Sequence, residues 1–310
     1  MLNTSEITRI DIELSTHCNA RCPECVRNFR GWNIVNFPKQ NLDIEKYYAI
    51  INQLPCLQDI IMCGNYGDPL MHPDICDFIS DKYNYMIFTN GSIGKINTFV
   101  ELAQSNVEIV FGIDGLADTN SIYRQDVDWN KLMHRATAFI EAGGNATWQF
   151  IIFKHNEHQI EQAHALSKEL GFRTFDARND NRNNGPILDN TGNQIGFLEP
   201  HDRITKKDFD IDFELSLIEN PVKIDTDYSN YNISCQTLQQ GRIYINAMGE
   251  IRPCCYFGAM SYDEHKPIGK TLQEQMNNYQ YIADTWNTKN CFEKCGEECG
   301  KQQELYGELF

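Results

Sequence analysis

From Arg9 onward the chain alternates two kinds of hydrophobic spacing. "RIDIELS" (9–15) places apolar residues at every second position, as a half-buried strand does. The segment after it carries Leu42, Ile44, Tyr47, Tyr48, Ile51 and Leu54, an apolar stripe at helical spacing. The alternation then repeats. "DIIMCG" predicts a strand; Ile75, Phe78, Ile79 and Tyr83 predict a helix behind Pro73 and Asp74; "YMIFTNG" (85–91) predicts a third strand. A helix around 95–104, the strand "VEIVFGIDG" (107–115), a helix over 129–142, the strand "TWQFIIF" (147–153), a helix over 158–170 ending at Gly171 and a last strand "FRTFD" complete six βα units.

Near-continuous apolar strands separated by helices imply an α/β fold with a parallel sheet covered by helices, open or partly closed into a barrel. In such sheets the functional loops gather at the C-terminal strand ends. The pattern changes after residue 177, where "RNDNRNNGPILDN" opens a polar, acidic stretch without a clear βα repeat. A new element begins near 233, where "GRIYIN" and "EIRPC" flank "AMG" as a β-hairpin, and "KTLQEQMNNYQYIADTWN" (270–287) predicts a helix. The expected organisation is a core over 1–176, a polar and possible substrate-facing connection over 177–232 and a small α+β unit over 233–310.

Charge narrows the partners. A formal net charge of −16 over 310 residues opposes a sequence-independent grip on phosphate backbones, so nucleic acid is not an expected partner. No run approaches the roughly 18 apolar residues of a membrane span, and "MLNTSEITRIDIEL" has neither the basic nor the apolar part of a signal peptide. No membrane partner is expected, and the expected location is cytoplasmic.

Twelve cysteines in such a chain point to metal rather than to a disulfide framework. Cys56, Cys63 and Cys76 are isolated and expected in the core as small hydrophobes. The others cluster. "STHCNARCPECVRN" places Cys18, Cys22 and Cys25 directly after the first strand, at the functional edge of the sheet. Three thiolates can hold one face of an iron–sulfur cube and leave the fourth iron open, unlike the four-cysteine runs of closed clusters. Structural zinc is the rival, but it takes four ligands, and His17 is adjacent to Cys18 and awkward as the fourth.

On these residues the chain resembles the radical SAM superfamily, whose mark is CxxxCxxC on the loop after the first strand of a partial (βα)6 TIM-like barrel. The resemblance implies a [4Fe-4S] cluster on Cys18, Cys22 and Cys25 whose open iron chelates S-adenosylmethionine. Reductive cleavage then yields a 5′-deoxyadenosyl radical that takes a hydrogen atom from substrate. Glu24 stands where the family often has an aromatic residue. "GNYGDP", with Gly64, Tyr66, Gly67 and Asp68, resembles the motif that holds the methionyl amino group, Asp68 replacing the usual Glu; an ordinary Gly/Pro turn is the alternative. "TNGS" resembles a further family turn and implies that Asn90 faces the cofactor. "FGIDG" resembles the ribose-side strand, with Gly112 where serine is common and Asp114 at the edge, although a solvated turn aspartate fits as well. Arg124 resembles an arginine near the cofactor carboxylate, or is a surface charge.

The spacing from Cys235 through Gly249 to Cys254 resembles the opening of the SPASM and twitch extensions of that superfamily, with Cys291, Cys295 and Cys299 following. The resemblance implies a small cysteine-rich α+β extension with one auxiliary [4Fe-4S] cluster on Cys235, Cys254 and two of the last three; a zinc ribbon is the structural alternative. Cys255 remains over. Alternation along the hairpin is expected to turn it from the cube, where its thiol would return a hydrogen atom to a substrate radical or simply pack.

Enzymes of this kind oxidise or epimerise small alcohols and amino sugars, or modify peptides. The short segment before Cys18 favours a small molecule or a peptide delivered by a separate partner, and Phe197, Tyr228 and Tyr231 are candidates to line the mouth. The implied electron donor is a flavodoxin or ferredoxin. A non-catalytic zinc or iron–sulfur protein serving as a partner-binding module is the alternative from another class.

Overall fold

The structure is a computed structural model that describes residues 2–25, 27, 37–178, 185–189, 191–201, 214–216, 228–258 and 267–302. Most of the connection expected over 177–232 lies outside the described residues. Strands β1 (Arg9–Ile12), β2 (Asp59–Met62), β3 (Asn84–Thr89), β4 (Val107–Gly112), β5 (Asn145–Ile151) and β6 (Thr174–Arg178) pair in parallel, in chain order. Among them run α1 (Ile44–Ile51), α2 (Ile96–Leu102), the short α3 (Asn120–Tyr123), α4 (Trp129–Glu141) and α5 (Ile160–Leu170). Helix starts follow from side-chain caps: Asp43 accepts from Lys46 N and Asp128 from Lys131 N, both at 3.0 Å. Gly171, at φ 86°, closes α5 in the left-handed conformation that favours glycine.

The strand faces divide as the alternation predicts. Ile10, Ile12, Ile60, Met62, Ile87, Ile109, Phe111, Trp148 and Phe150 are fully buried. On this face Phe111 packs edge-on against Phe139 of α4, and Phe175 packs against His164 of α5. Burying each such side chain contributes about 1.5–3 kcal/mol. The opposite face, the inside of the partial barrel, carries Asp11, Gln149, Asp176 and Arg178.

Two predicted helices differ. The segment after Pro73 forms only a 3-10 turn, Ile75–Phe78, because the Tyr47 hydroxyl donates to Phe78 O (3.0 Å) and anchors the short connection under α1. The helix expected over 270–287 is two, α8 (Leu272–Asn277) and α9 (Gln280–Ala283); between them Tyr279 donates to Ile251 O at 2.7 Å. Cys56 is exposed rather than core, while Cys63 and Cys76 are half-buried.

Beyond β6, a hairpin of β7 (Gly185–Leu188) and β8 (Gln194–Leu198) precedes β9 (Glu214–Ser216), which pairs in parallel with β6. Then come β10 (Tyr231–Ile233), α6 (Gln236–Gln239), β11 (Arg242–Ile245), β12 (Ile251–Arg252), α7 (Cys255–Gly258), α10 (Glu293–Cys299) and β13 (Gly300–Gln302), with β10 and β13 paired antiparallel. The predicted hairpin is β11–β12. It does not stand apart: β11 lies parallel to β1, so the order is β12-β11-β1-β2-β3-β4-β5-β6-β9. The Arg242 guanidinium grips the buried Asp11 carboxylate, Nε to Oδ2 at 2.7 Å and Nη2 to Oδ1 at 2.6 Å.

Candidate active site

The cysteine loop leaves β1 and is fastened at both ends. Ser15 Oγ donates to Asn41 Oδ1 (2.7 Å), and Arg21 N donates to Gln125 O (3.0 Å) while its Nε pairs with Asp126 at 2.5 Å. Cys22 is buried; Cys18 and Cys25 are half-buried. Their sulfurs receive donors from other loops. Ala20 N reaches Cys18 Sγ at 3.4 Å, Asn90 Nδ2 reaches it at 3.7 Å, and Arg124 Nη1 stands 4.0 Å from Cys22 Sγ. Burial pushes the Cys18 thiol up to about 12 and the Cys22 thiol up to about 11. Only a bound cation or cluster would hold them as thiolates at neutral pH. Among the described residues, no three His, Cys, Asp or Glu side chains stand gathered around a single-ion site.

The "GNYGDP" turn is pressed onto this loop. A Cβ on Gly67 would lie 1.8 Å from Ser15 O, and one on Gly64 would lie 1.7 Å from Gly67 O, so the backbones meet where no side chain fits. Asp68 N donates to His17 O (2.8 Å), and Tyr66 N donates to the fully buried Glu13 carboxylate (2.6 Å). Tyr66 is buried with its ring against Phe37.

Asp68 is buried beneath the turn and faces protein donors. Leu70 N donates to Oδ1 at 3.0 Å; Asn90 N and Nδ2 donate to Oδ2 at 2.8 and 2.9 Å; the Thr89 hydroxyl lies 2.9 Å from both oxygens. A carboxylate offers about four acceptor positions, so these donors saturate it. Asp68 ties the turn after β2 to the turn after β3, and through Asn90 it sets the donor at Cys18.

Asp114 and Arg124 meet each other. Arg124 Nε donates to Asp114 Oδ2 at 2.6 Å, and Ile151 N donates to Oδ1 at 2.7 Å, with Asp114 fully buried. Gly112 supplies the room, since a Cβ there would lie 2.4 Å from Arg124 Nη2. Neither residue is a solvated surface charge: the pair holds a guanidinium beside Cys22.

The second group of thiols surrounds a cavity of about 630 Å³, lined by Cys235, Cys254, Cys255, Cys295 and Cys299 together with Arg242 and Arg252. Cys295 and Cys299 are four apart on α10 and so share one helix face. Cys291 does not line the cavity, and its thiol donates to Phe292 O at 3.5 Å. The Cys235 and Cys299 thiols act on each other, which lowers the Cys235 thiol and raises that of Cys299. Burial raises Cys254 to about 12 and Cys295 to about 11. Cys255 departs from expectation. The strand ends at Arg252 and Cys255 begins α7, so no alternation turns it away and it lines the same cavity as Cys254. Tyr228 is buried against Tyr231 under α10, whereas Phe197 is exposed on β8.

Sequence reasoning passed over Asp11 and Glu13, carboxylates in a strand that the alternation marked merely as polar positions. An alternating strand in a parallel sheet otherwise covered by helices was the available signal, because its polar face can only look into the barrel.

No protein-family profile matches the chain, and no curated protein matches it in sequence. Solved structures do match in shape. SuiB of Streptococcus suis bound to S-adenosylmethionine is 14% identical with a TM-score of 0.57, over 94% of this chain and 68% of that one. SuiB bound to the precursor peptide SuiA is 15% identical with a TM-score of 0.57, over 91% of this chain and 65% of that one. The fold is the one that these two structures share. A third match, anSMEcpe with bound AdoMet and the Cp18Cys peptide, is 13% identical with a TM-score of 0.57, over 89% of this chain and 82% of that one. The chain thus spans about two thirds of SuiB's length and four fifths of anSMEcpe's. This chain's architecture is a partial TIM-like barrel of mostly parallel strands, with six of its cysteines in the C-terminal part. No helix among the described residues is long and apolar enough to cross a membrane.

Proposed function

We propose that this protein is a radical SAM enzyme that cleaves S-adenosylmethionine reductively and abstracts a hydrogen atom from a peptide or small-molecule substrate. One observation carries the reading: three thiols sit on the loop after β1, pressed against the turns after β2, β3 and β4, on a fold shared with proteins whose structures hold S-adenosylmethionine.

A [4Fe-4S] cluster on Cys18, Cys22 and Cys25 would supply the electron that splits the sulfonium and yields the 5′-deoxyadenosyl radical. The chain's own residues bind and aim. Asn90 and Ala20 donate towards Cys18 sulfur, and such hydrogen bonds raise a cluster's potential by stabilising its reduced, more negative form. Arg124 brings positive charge to Cys22 and lies beside Gly112, where a cofactor carboxylate would find a guanidinium. The glycines of the turn after β2 leave backbone carbonyls close to the cysteine loop, a seat for an ammonium that Asp68 braces from behind.

An auxiliary [4Fe-4S] cluster suits Cys235, Cys254, Cys295 and Cys299. All four line one cavity, whose wall also carries the Arg242 and Arg252 side chains, each paired with a carboxylate, Asp11 and Glu250. Such a cluster would take an electron from the substrate radical in an oxidation, whereas Cys255 beside it would return a hydrogen atom in an epimerisation. A flavodoxin or ferredoxin would reduce the first cluster, in the cytoplasm. Anaerobic reconstitution with iron and sulfide, then dithionite and S-adenosylmethionine, is expected to give 5′-deoxyadenosine. Cys18→Ala, Cys22→Ala and Cys25→Ala should each abolish it, and full cleavage by any of the three would exclude the triplet as the catalytic centre.

A further inference from the structure

Trp286, on the wall of the thiol cavity, is turned the opposite way from most tryptophans near a surface. The residue is half-buried. A tryptophan so placed ordinarily keeps its one polar atom in water or on an acceptor, because the indole Nε1 is a donor and nothing else. Here that atom is the part turned inward: it is buried and meets no hydrogen-bond partner among the described residues. A buried donor left vacant costs free energy unless something completes it.

Folding holds the ring in this pose. Trp286 N donates to Ala283 O at 3.1 Å, just beyond α9. Asn287 follows in the left-handed region, at φ 61°, and its Oδ1 accepts from Ile233 N at 3.1 Å. Ile233 ends β10, and the next residue, Ser234, donates from its N to Cys299 O at 2.9 Å. The turn that carries the indole is thus tied to the strand before Cys235 and, through it, to the last residue of α10. Cys295, one turn back on α10, packs against Phe257, Tyr279 and Ile282, the last of these on α9. The indole therefore lines the cavity beside Cys295. Burial raises the Cys295 thiol, and the Trp286 N–H acts against burial because a donor favours the thiolate. A neutral thiol is a weak acceptor, so the donor waits on the charged form.

We propose that Trp286 tunes the auxiliary cluster, its indole N–H donating to the Cys295 sulfur once that sulfur is a cluster ligand. This rests on the reading that Cys235, Cys254, Cys295 and Cys299 hold a [4Fe-4S] cluster. Reduction adds negative charge that the ligand sulfurs share, so a donor aimed at one of them favours the reduced form and raises the potential. Shielding from water strengthens the effect. The ligand sulfur in turn gives the N–H the acceptor that it otherwise lacks. A higher potential makes the cluster a readier acceptor for the electron of a substrate radical, which suits an oxidation.

The test is an anaerobic redox titration of the reconstituted full chain, followed by electron paramagnetic resonance, for wild type, Trp286→Phe and Met276→Leu. Phenylalanine keeps an aromatic ring without the N–H; Met276, buried on the same cavity, controls for a change of packing alone. The wave whose signal S-adenosylmethionine alters belongs to the first cluster and serves as an internal reference. In Trp286→Phe the other wave is expected to move to more negative potential by about 59 mV, a tenfold change in a one-electron equilibrium. About eight irons should remain, with the first wave in place. Met276→Leu should leave both waves where wild type has them. An unmoved auxiliary wave in Trp286→Phe overturns the proposal. So does an equal shift in Met276→Leu, which would assign the effect to packing, or a loss of iron from Trp286→Phe, which would make the indole a structural support. Failure of the underlying reading looks different: wild type with about four irons and a single wave that responds to S-adenosylmethionine has no auxiliary cluster, and that also overturns the proposal.

Discussion

Removing the Asp68 carboxylate separates two roles that the sequence cannot. If it held the methionyl ammonium, Asp68→Ala would weaken cofactor binding and leave the apoprotein's stability almost untouched. The structure surrounds it with protein donors instead: Leu70 N, Asn90 N, Asn90 Nδ2 and the Thr89 hydroxyl, all between 2.8 and 3.0 Å. In the alanine variant the hydroxyl can turn elsewhere, but the backbone N–H groups of Leu70 and Asn90 stay buried without acceptors. Each such group costs about 1–3 kcal/mol, so the loss is about 2–6 kcal/mol. That is a large part of the roughly 5–15 kcal/mol that holds a typical domain folded. Asp68→Asn keeps one oxygen and its shape and should lose about 1–3 kcal/mol. Urea unfolding of the apoprotein, followed by the fluorescence of tryptophans that include the fully buried Trp148, should rank wild type above Asp68→Asn above Asp68→Ala. An unchanged midpoint in Asp68→Ala, with S-adenosylmethionine binding lost, would refute the bracing role and return the carboxylate to the cofactor.

Gly67→Ala should cost at least about 3 kcal/mol and detach the turn after β2 from the cysteine loop, because the new methyl would lie 1.8 Å from Ser15 O; a circular-dichroism melt like that of wild type would contradict this. Reconstituted wild type should carry about eight irons, as should Cys291→Ser, whereas Cys295→Ser should carry fewer; iron analysis with the two variants reversed would exchange their roles. Burial, with help from His158, holds the half-buried His155 imidazole down to about 4, and its Nε2 has no partner among the described residues. The unfolded chain binds that proton first, so the stability is complete above about pH 6.5 and is lost as pH falls towards 4, by about 1 kcal/mol after allowance for solvent screening. His155→Phe, which keeps the stacking on Phe153, should flatten the fall in urea midpoint between pH 7.5 and pH 4.5; an unaltered slope would assign it to other groups.

Much of the barrel was legible in the hydrophobic spacing, because an alternating or continuous apolar run is a local record of which side of the chain meets the core. β1, β4 and β5, the helices α1, α4 and α5, and the position of the cysteine loop all follow from it. Local spacing fails where a distant contact outweighs it. The turn Ile75–Phe78 is not a helix because Tyr47 holds it, and Cys255 opens a helix where a strand alternation was expected.

Read along the chain, the residues say which chemistry is available: three thiols behind a strand, glycines in the turn after β2, and a second thiol group far along the chain. Their partners were set by folding. It gave Asp68 to Thr89 and Asn90, joined Asp114 to Arg124 across the space left by Gly112, and laid β11 beside β1 so that Arg242 closes on Asp11 some 231 positions away. The physical reason is the same in each case. A buried charge must find its complement in space, and nothing in the spacing along a chain records which residue that will be.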